Sequence, residues 1–145
     1  TRMGIDTLYK AIAAECRAVI PGLKQVYRDN IPQNMELPCI LVLTVSTEPS
    51  RRLDNRQRMK QSFDVQYFPV AEIQNRRKEC ETVKQEMLRH FDVIGADSVS
   101  FYVRERDTNI TDDVLHFLFS VTYTEYRATD APRMEDVKTN VEMEE

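Results

Sequence analysis

The sequence predicts an α+β fold. It reads as a single sheet, antiparallel or mixed, of about four main strands with two helices packed on it, in the order α-(β)-β-β-α-β-β. Three observations carry this. From Met59 to Pro69, Phe63, Val65 and Tyr67 fall on one side of the chain and Lys60, Ser62, Asp64 and Gln66 on the other, the period of two of a strand with one buried face. Ile5, Leu8, Ile12, Cys16, Val19 and Ile20 recur at three- and four-residue steps, and Ile73, Cys80, Val83, Met87, Phe91 and Ile94 make a second set at steps of seven, three and four. Each set is one stripe of an amphipathic helix. Two further alternating runs near the end of the chain, Val99–Val103 and Leu115–Tyr123, read as a second hairpin.

In order along the chain, the first helix is expected over about Ile5 to Val19. Asp6 near its start suits the helix dipole and Pro21-Gly22 stops it. Thr1 and Arg2 precede Met3, which is read as the natural start. Lys24 to Arg28 is short enough for an edge strand, and Asp29 to Pro38 reads as a loop from its two prolines and its Asn and Asp residues. Cys39 to Glu48 is the strongest β signal. Ile40 and Val42 lie opposite Leu41, Leu43 and Val45, so both faces begin apolar, as in a central strand. Residues 49–58 carry four arginines, and Asp54-Asn55 is a natural turn, which makes strands 39–48 and 57–68 a long hairpin with a basic tip. Pro69 ends the second of these strands. Residues 70–94 read as the second helix, with Gly95 as its C′ residue. Asp107 to Asp113 reads as the turn of the second hairpin, whose last strand runs to about Arg127.

A length of 145 residues fits one domain, and 41% hydrophobic with 30% charged residues is an ordinary soluble composition. No apolar run approaches the roughly 18 residues of a membrane span, and no secretory signal is visible. Cys16, Cys39 and Cys80 are odd in number, far apart and each on an apolar face. They read as small buried hydrophobes of a chain in a reducing compartment. The division expected is a body over residues 3–128 and an acidic, flexible tail over residues 129–145 with little periodicity, which serves as a solubiliser or docks on a partner's basic surface such as the arginine hairpin of an adjacent subunit. Residues 130–145 hold six acidic residues against two basic, the whole of the chain's net charge of −4. A balanced body gives no general argument for nucleic-acid binding.

No chemistry of an enzyme is visible. His90 and His116 have no cysteine or carboxylate at ligand spacing, and HExxH and CxxC do not occur. Three glycines provide no phosphate-cradling loop and no nucleophile elbow. No cofactor or metal is expected. The one concentrated feature is the hairpin tip with Arg51, Arg52, Arg56 and Arg58 and, just beyond, Lys60. Arginines there either keep a solvated turn soluble or offer bidentate donors to carboxylates on a neighbour. Tyr67 and Phe68 are not interleaved with them, so no stacking platform for bases is evident.

The order of short segments adds a resemblance. A helix ends in Ile20-Pro21-Gly22, and the short Val26-Tyr27 piece follows. Leu37-Pro38-Cys39-Ile40 opens a strand, and an Arg-rich turn leads to Phe63-Asp64-Val65-Gln66-Tyr67-Phe68-Pro69. A helix with Leu88 near its end and the strands Val99–Val103 and Leu115–Tyr126 complete the series. Over residues 3 to 127 this resembles the tail terminator family of tailed phages and of phage-derived contractile particles of Gram-positive bacteria. The resemblance implies a non-enzymatic assembly protein made in the bacterial cytoplasm and carried in the particle. It implies a ring, usually six-fold, on the head-proximal end of the tail tube, which ends tube polymerisation and offers a surface to the neck or head connector. The implied partners are further copies of the chain, the tube protein, and sheath and neck proteins, with no sequence-specific nucleic acid and no membrane. Arg51, Arg52, Arg56, Arg58 and Lys60 are the residues expected to grip a neighbouring subunit or the tube. Another head–tail completion protein and a cellular adaptor module are the competing expectations.

Overall fold

The computed structural model describes residues 4–53 and 56–126. Helix α1 spans Ile5–Val19, as its apolar stripe predicts. Leu8, Ile12 and Cys16 are fully buried along that stripe, and Asp6 and Arg17 sit at the ends that suit their charges. Gly22 follows at φ +77°, a left-handed conformation that glycine adopts without penalty. The strands are β1 (Gln25–Arg28), β2 (Cys39–Leu53), β3 (Arg56–Phe68), β4 (Val93–Ala96), β5 (Val99–Thr111) and β6 (Val114–Tyr126). A 3-10 turn at Ile73–Asn75 leads into α2 (Arg76–His90).

The molecule is mostly sheet. Six strands in the order β1-β2-β3-β6-β5-β4 form one mixed sheet curled into a half-barrel, with two helices. This corrects the expected four-strand sheet and its element order. The short β1 is a true edge strand, and it pairs parallel to β2 from Gln25↔Cys39 to Arg28↔Val42. Residues 29–38 make that parallel connection without a helix, which is unusual for parallel neighbours. The region expected as the end of the second helix is instead β4. Phe91 and Ile94 are three residues apart and both buried, so their spacing imitates a helical stripe. The helix in fact stops at His90. Gly95 is no cap: a Cβ there would lie 2.9 Å from the Val99 carbonyl oxygen, so glycine is what lets β4 lie against β5.

β5 also runs straight through the segment expected as a turn. The hairpin reverses only at Asp112 and Asp113, with φ +52° and +62°, and the β4–β5 reversal at Asp97 and Ser98 has φ +53° and +65°. Two consecutive positive φ values are the primed two-residue turn that matches strand twist. Here it is built without glycine, so the usual sequence signal is missing. Irregularities between Thr44 and Ser46, between Pro49 and Arg52, and between Arg104 and Asp107 break the ladder and bend the strands. At the last of these Glu105 takes φ +56°.

The concave face closes on an aromatic cluster. Phe63 of β3 and Phe119 of β6 have ring centroids 5.5 Å apart. Phe91, just past α2, meets Phe117 at 5.2 Å and Phe119 at 5.6 Å, and Tyr9 of α1 meets Phe63 edge-on at 5.7 Å. One cluster therefore joins both helical regions to the two central strands. The two buried polar side chains on the described strands are satisfied. Gln61 accepts from Thr47 Oγ1 at 2.7 Å and donates to Tyr123, and Ser120 donates to Glu105 at 2.7 Å. The acidic tail expected over residues 129–145 lies outside the described residues.

Phe117→Ala is expected to lower the unfolding free energy by about 3–5 kcal/mol in chemical denaturation, because the cavity opens in the cluster's middle. Ile73→Ser, at a side chain 68% exposed, is expected to change it by less than about 0.5 kcal/mol. A Phe117→Ala effect as small as the Ile73→Ser effect would place the structural centre elsewhere.

Candidate functional site

The five basic residues singled out in the sequence gather at one end of the sheet. Arg51 and Arg52 belong to β2, and Arg56, Arg58 and Lys60 to β3, with the register closing at Leu53↔Arg56. They therefore sit on strand ends and not in a loop, which extends the hairpin beyond the span expected. Alternation puts Arg56, Arg58 and Lys60 on the outer face of β3, since Gln61, Phe63, Val65 and Tyr67 point inward. Arg56 and Arg58 are exposed, and neither has a carboxylate partner among the described residues. Among the described residues no helix covers this end: the run of buried side chains on β3 starts only at Gln61.

Lys60 differs from the arginines. Its ammonium lies 3.0 Å from Glu105 Oε1 and 3.1 Å from Oε2. Glu105 stands on the β5 bulge and also accepts the Ser120 hydroxyl at 2.7 Å. One carboxylate thus ties β3, β6 and β5 together on the outer face. The hydrogen bonds from Ser120 and then Lys60 hold the Glu105 carboxyl below its usual range, and Glu105 in turn holds the Lys60 ammonium above its own. Lys60 is therefore committed within its own subunit, while Arg56 and Arg58 are not. Spacing could not reveal this, because Glu105 meets Lys60 across an intervening strand.

A second surface lies at the other end of the sheet. The end of α1, the end of β3 and one flank of α2 enclose an open groove of about 980 Å³. Val19, Ile20, Pro21, Pro38, Ala71 and Val83 are among its lining residues. Val70, which is 57% exposed, also lines it, and Ile73 lies close by in sequence. Glu79 fixes one wall. Its carboxylate accepts the Tyr67 hydroxyl, the Val70 amide at 3.1 Å and the Ala71 amide at 3.0 Å, which pins the β3–α2 connection. Burial first, and then the bond to Glu79, push the Tyr67 hydroxyl well above its ordinary range, so it stays a donor. Three distant segments build this groove, and no local pattern announces it.

Two groups of titratable side chains meet within the described residues. Among the described residues no group of three or more His, Cys, Asp and Glu could hold a metal ion. The sheet does bring Asp64 to His116, with Nδ1 at 3.1 and 3.2 Å from the carboxylate oxygens and Gln66 donating to the same carboxylate at 3.0 Å. Only the β3–β6 register, Gln66↔His116, makes this pair visible. His90 lies 3.7 Å from Glu86 one helical turn away, an i,i+4 spacing that the sequence does contain. Burial pushes the Cys16 thiol up to about 12 and the Cys80 thiol to about 11, so both stay protonated and poor nucleophiles.

The family described as "Phage tail terminator protein" matches residues 7–133 of the chain. No curated protein matches the chain.

Glu105→Gln keeps the shape of the bulge side chain but removes its charge. At pH 7 it is expected to melt a few degrees below the parent. A carboxyl held low in the folded state stabilises fully above its unfolded pKa of about 4.3, and that contribution fades as pH falls through the lower folded value. The gap between the two melting temperatures should therefore narrow below about pH 4. A gap unchanged from pH 7 to pH 3 would show that the charge of Glu105 stabilises nothing.

Proposed function

The chain belongs to the phage tail terminator family, and on that premise we propose that it caps the head-proximal end of a tail tube as a ring, ending tube polymerisation and offering a surface to the neck or head connector. The family is one of structural assembly proteins. Membership by itself accounts for a role in phage tail assembly, for a place in the virion tail and for contacts with other tail proteins. The ring, its six-fold number, the tube as first partner, and sheath and neck proteins as further partners are the proposal's own.

The observation that carries the proposal is the basic end of the β2–β3 hairpin, which no helix among the described residues covers. A terminator has to bind the last tube ring better than another tube subunit does. It also has to meet its own neighbour through a contact that closes by rotation instead of growing into a filament. Sheet edges are one route to such a contact, but here they are blunted. The edge strands β1 and β4 are each four residues long. The part of β2 beyond β1 carries Pro49 and two irregularities, and the part of β5 beyond β4 carries a bulge and the run Arg104-Glu105-Arg106-Asp107. Such features discourage edge-to-edge pairing. The hairpin end is different: there Arg56 and Arg58 are exposed and without a carboxylate partner among the described residues, so they can bind carboxylates on another subunit. Arg51, Arg52, Arg56 and Arg58 are assigned that contact, with Lys60 holding the strand beneath them.

The test mixes purified protein with polymerising tube protein and counts capped tube ends and rings by negative-stain microscopy. The double reversal Arg52→Glu, Arg56→Glu is expected to lower capping at least about tenfold, the equivalent of about 1.4 kcal/mol. Arg77→Glu, on the exposed flank of α2, is expected to leave capping unchanged. Ring formation and capping that survive the double reversal would remove the hairpin from the interface.

A further inference from the structure

We propose that the groove at the end of α1 receives the outer face of the β4–β5 edge of a second copy, with Tyr102 as the inserted side chain. The inference rests on the ring reading above and supplies the contact between neighbours in that ring.

The first ground is where apolar surface is left open. Val45 apart, the exposed large apolar side chains of the described residues collect in two places. One is the groove. Val70 lines it, Leu37 precedes the lining Pro38, and Ile73 falls between the lining Ala71 and Asn75. The other is the β4–β5 edge, where Val93 and Tyr102 are register partners, 46% and 63% exposed. Phe101 and Val103 point into the core, so Tyr102 and Arg104 point outward. The first place is hollow and the second projects. Tyrosine and arginine are the residue types that most often anchor an interface by filling a pocket.

Charge is the second ground. The Glu79 carboxylate on the groove wall accepts three neutral donors and has no cation partner among the described residues. Lys78 beside it has no carboxylate among them. Glu86, also at the groove, is already held by Arg89. At the other patch Arg104 lies 6.0 Å from the centre of the Tyr102 ring and has no carboxylate partner among the described residues. Asp92, next to Val93, is exposed and has no cation there. Each patch thus offers one cation and one anion that its own subunit leaves without an ion pair, and the other patch supplies their opposites.

Position is the third ground. Val103 lies across from Val121, and Val121 across from Gln61, six residues along β3 from Tyr67. The patches are therefore about 20 Å apart along the strands, and they belong to opposite edges of the sheet. One copy cannot close them on itself. A contact between unlike patches of identical chains is heterologous, and it gives a ring when its rotation closes. It uses side chains on the outer face, so it does not need the blunted strand edges.

The test uses the full chain on the ends of polymerised tube. Thr82 lines the groove and Ser100 lies two residues from Tyr102 on the same face, and both are exposed. Cys16, Cys39 and Cys80 are buried, so Thr82→Cys and Ser100→Cys each add one accessible thiol and keep every anchor. With a short bismaleimide, an equal mixture of the two variants is expected to give a covalent dimer, and either variant alone none. Tyr102→Ala is expected to leave at least about tenfold fewer ringed ends with an unchanged melting temperature, whereas Val45→Ala, at a side chain of similar exposure, leaves their number unchanged. Ringed ends that give no mixed cross-link would overturn this contact and leave the ring standing. A cross-link from Thr82→Cys alone would also overturn it, because it marks a two-fold contact. Tube ends without any ring would remove the ring reading and this contact with it.

Discussion

Everything in this fold depends on bending a sheet around four phenylalanines. Phe63, Phe117 and Phe119 stand on the concave face of β3 and β6, and Phe91 is driven among them from the end of α2. Each buried ring contributes about 1.5–3 kcal/mol from area alone, and each ring pair about 0.5–1.5 kcal/mol more. A flat sheet could not close on such a cluster with only two helices to cover it. The irregularities in β2 and the bulge at Glu105 allow the curl. They also disturb the outer edges of the sheet, so one device both shapes the core and discourages strand-by-strand association.

The same geometry makes the two ends of the molecule unlike. At the Tyr67 end of β3 the helices reach the sheet, and Glu79 ties the connecting loop into an apolar groove. At the Arg56 end no described helix lies over the sheet, β2, β3 and β6 run on together, and the outer face of β3 carries Arg56, Arg58 and Lys60. β3 has 13 residues, so the ends lie about 40 Å apart. Within the basic end the charges divide again. The Lys60–Glu105–Ser120 bonds serve the sheet, whereas the guanidinium groups of Arg56 and Arg58 have no carboxylate partner among the described residues. Such a difference suits the proposed capping role, which calls for one partner on each side.

What the sequence made legible follows from how local each signal is. α1 was readable to the residue, because its stripe ends at a Pro-Gly stop. The inward residues of β3 and β6 were readable because alternation directly reports one buried face. β4 was hidden because Phe91 and Ile94 are buried at a spacing that suits a helix as well as a short strand. The length of β5 was hidden because its outer half is an exposed edge, where polar residues such as Asp107, Thr108 and Asn109 carry no burial pattern. The parallel pairing of β1 and the groove depend on contacts between distant segments, which periodicity does not encode. The basic hairpin was visible as composition, but the separate role of Lys60 required the bulge that brings Glu105 within reach. The ordered series from Ile20-Pro21-Gly22 to Leu115–Tyr126 was enough to suggest the family that the match over residues 7–133 shows.

The most direct measurement of the central claim is the length of tails made with this gene intact and with it deleted, read by negative-stain microscopy. The account predicts over-long tubes of scattered length in the deletion, and a return to one length when the protein is supplied again. Tubes of normal length without the protein would contradict capping. If heads then failed to join those tubes, the chain would act in the neck; if the particles were unaffected, the capping account would be wrong in full.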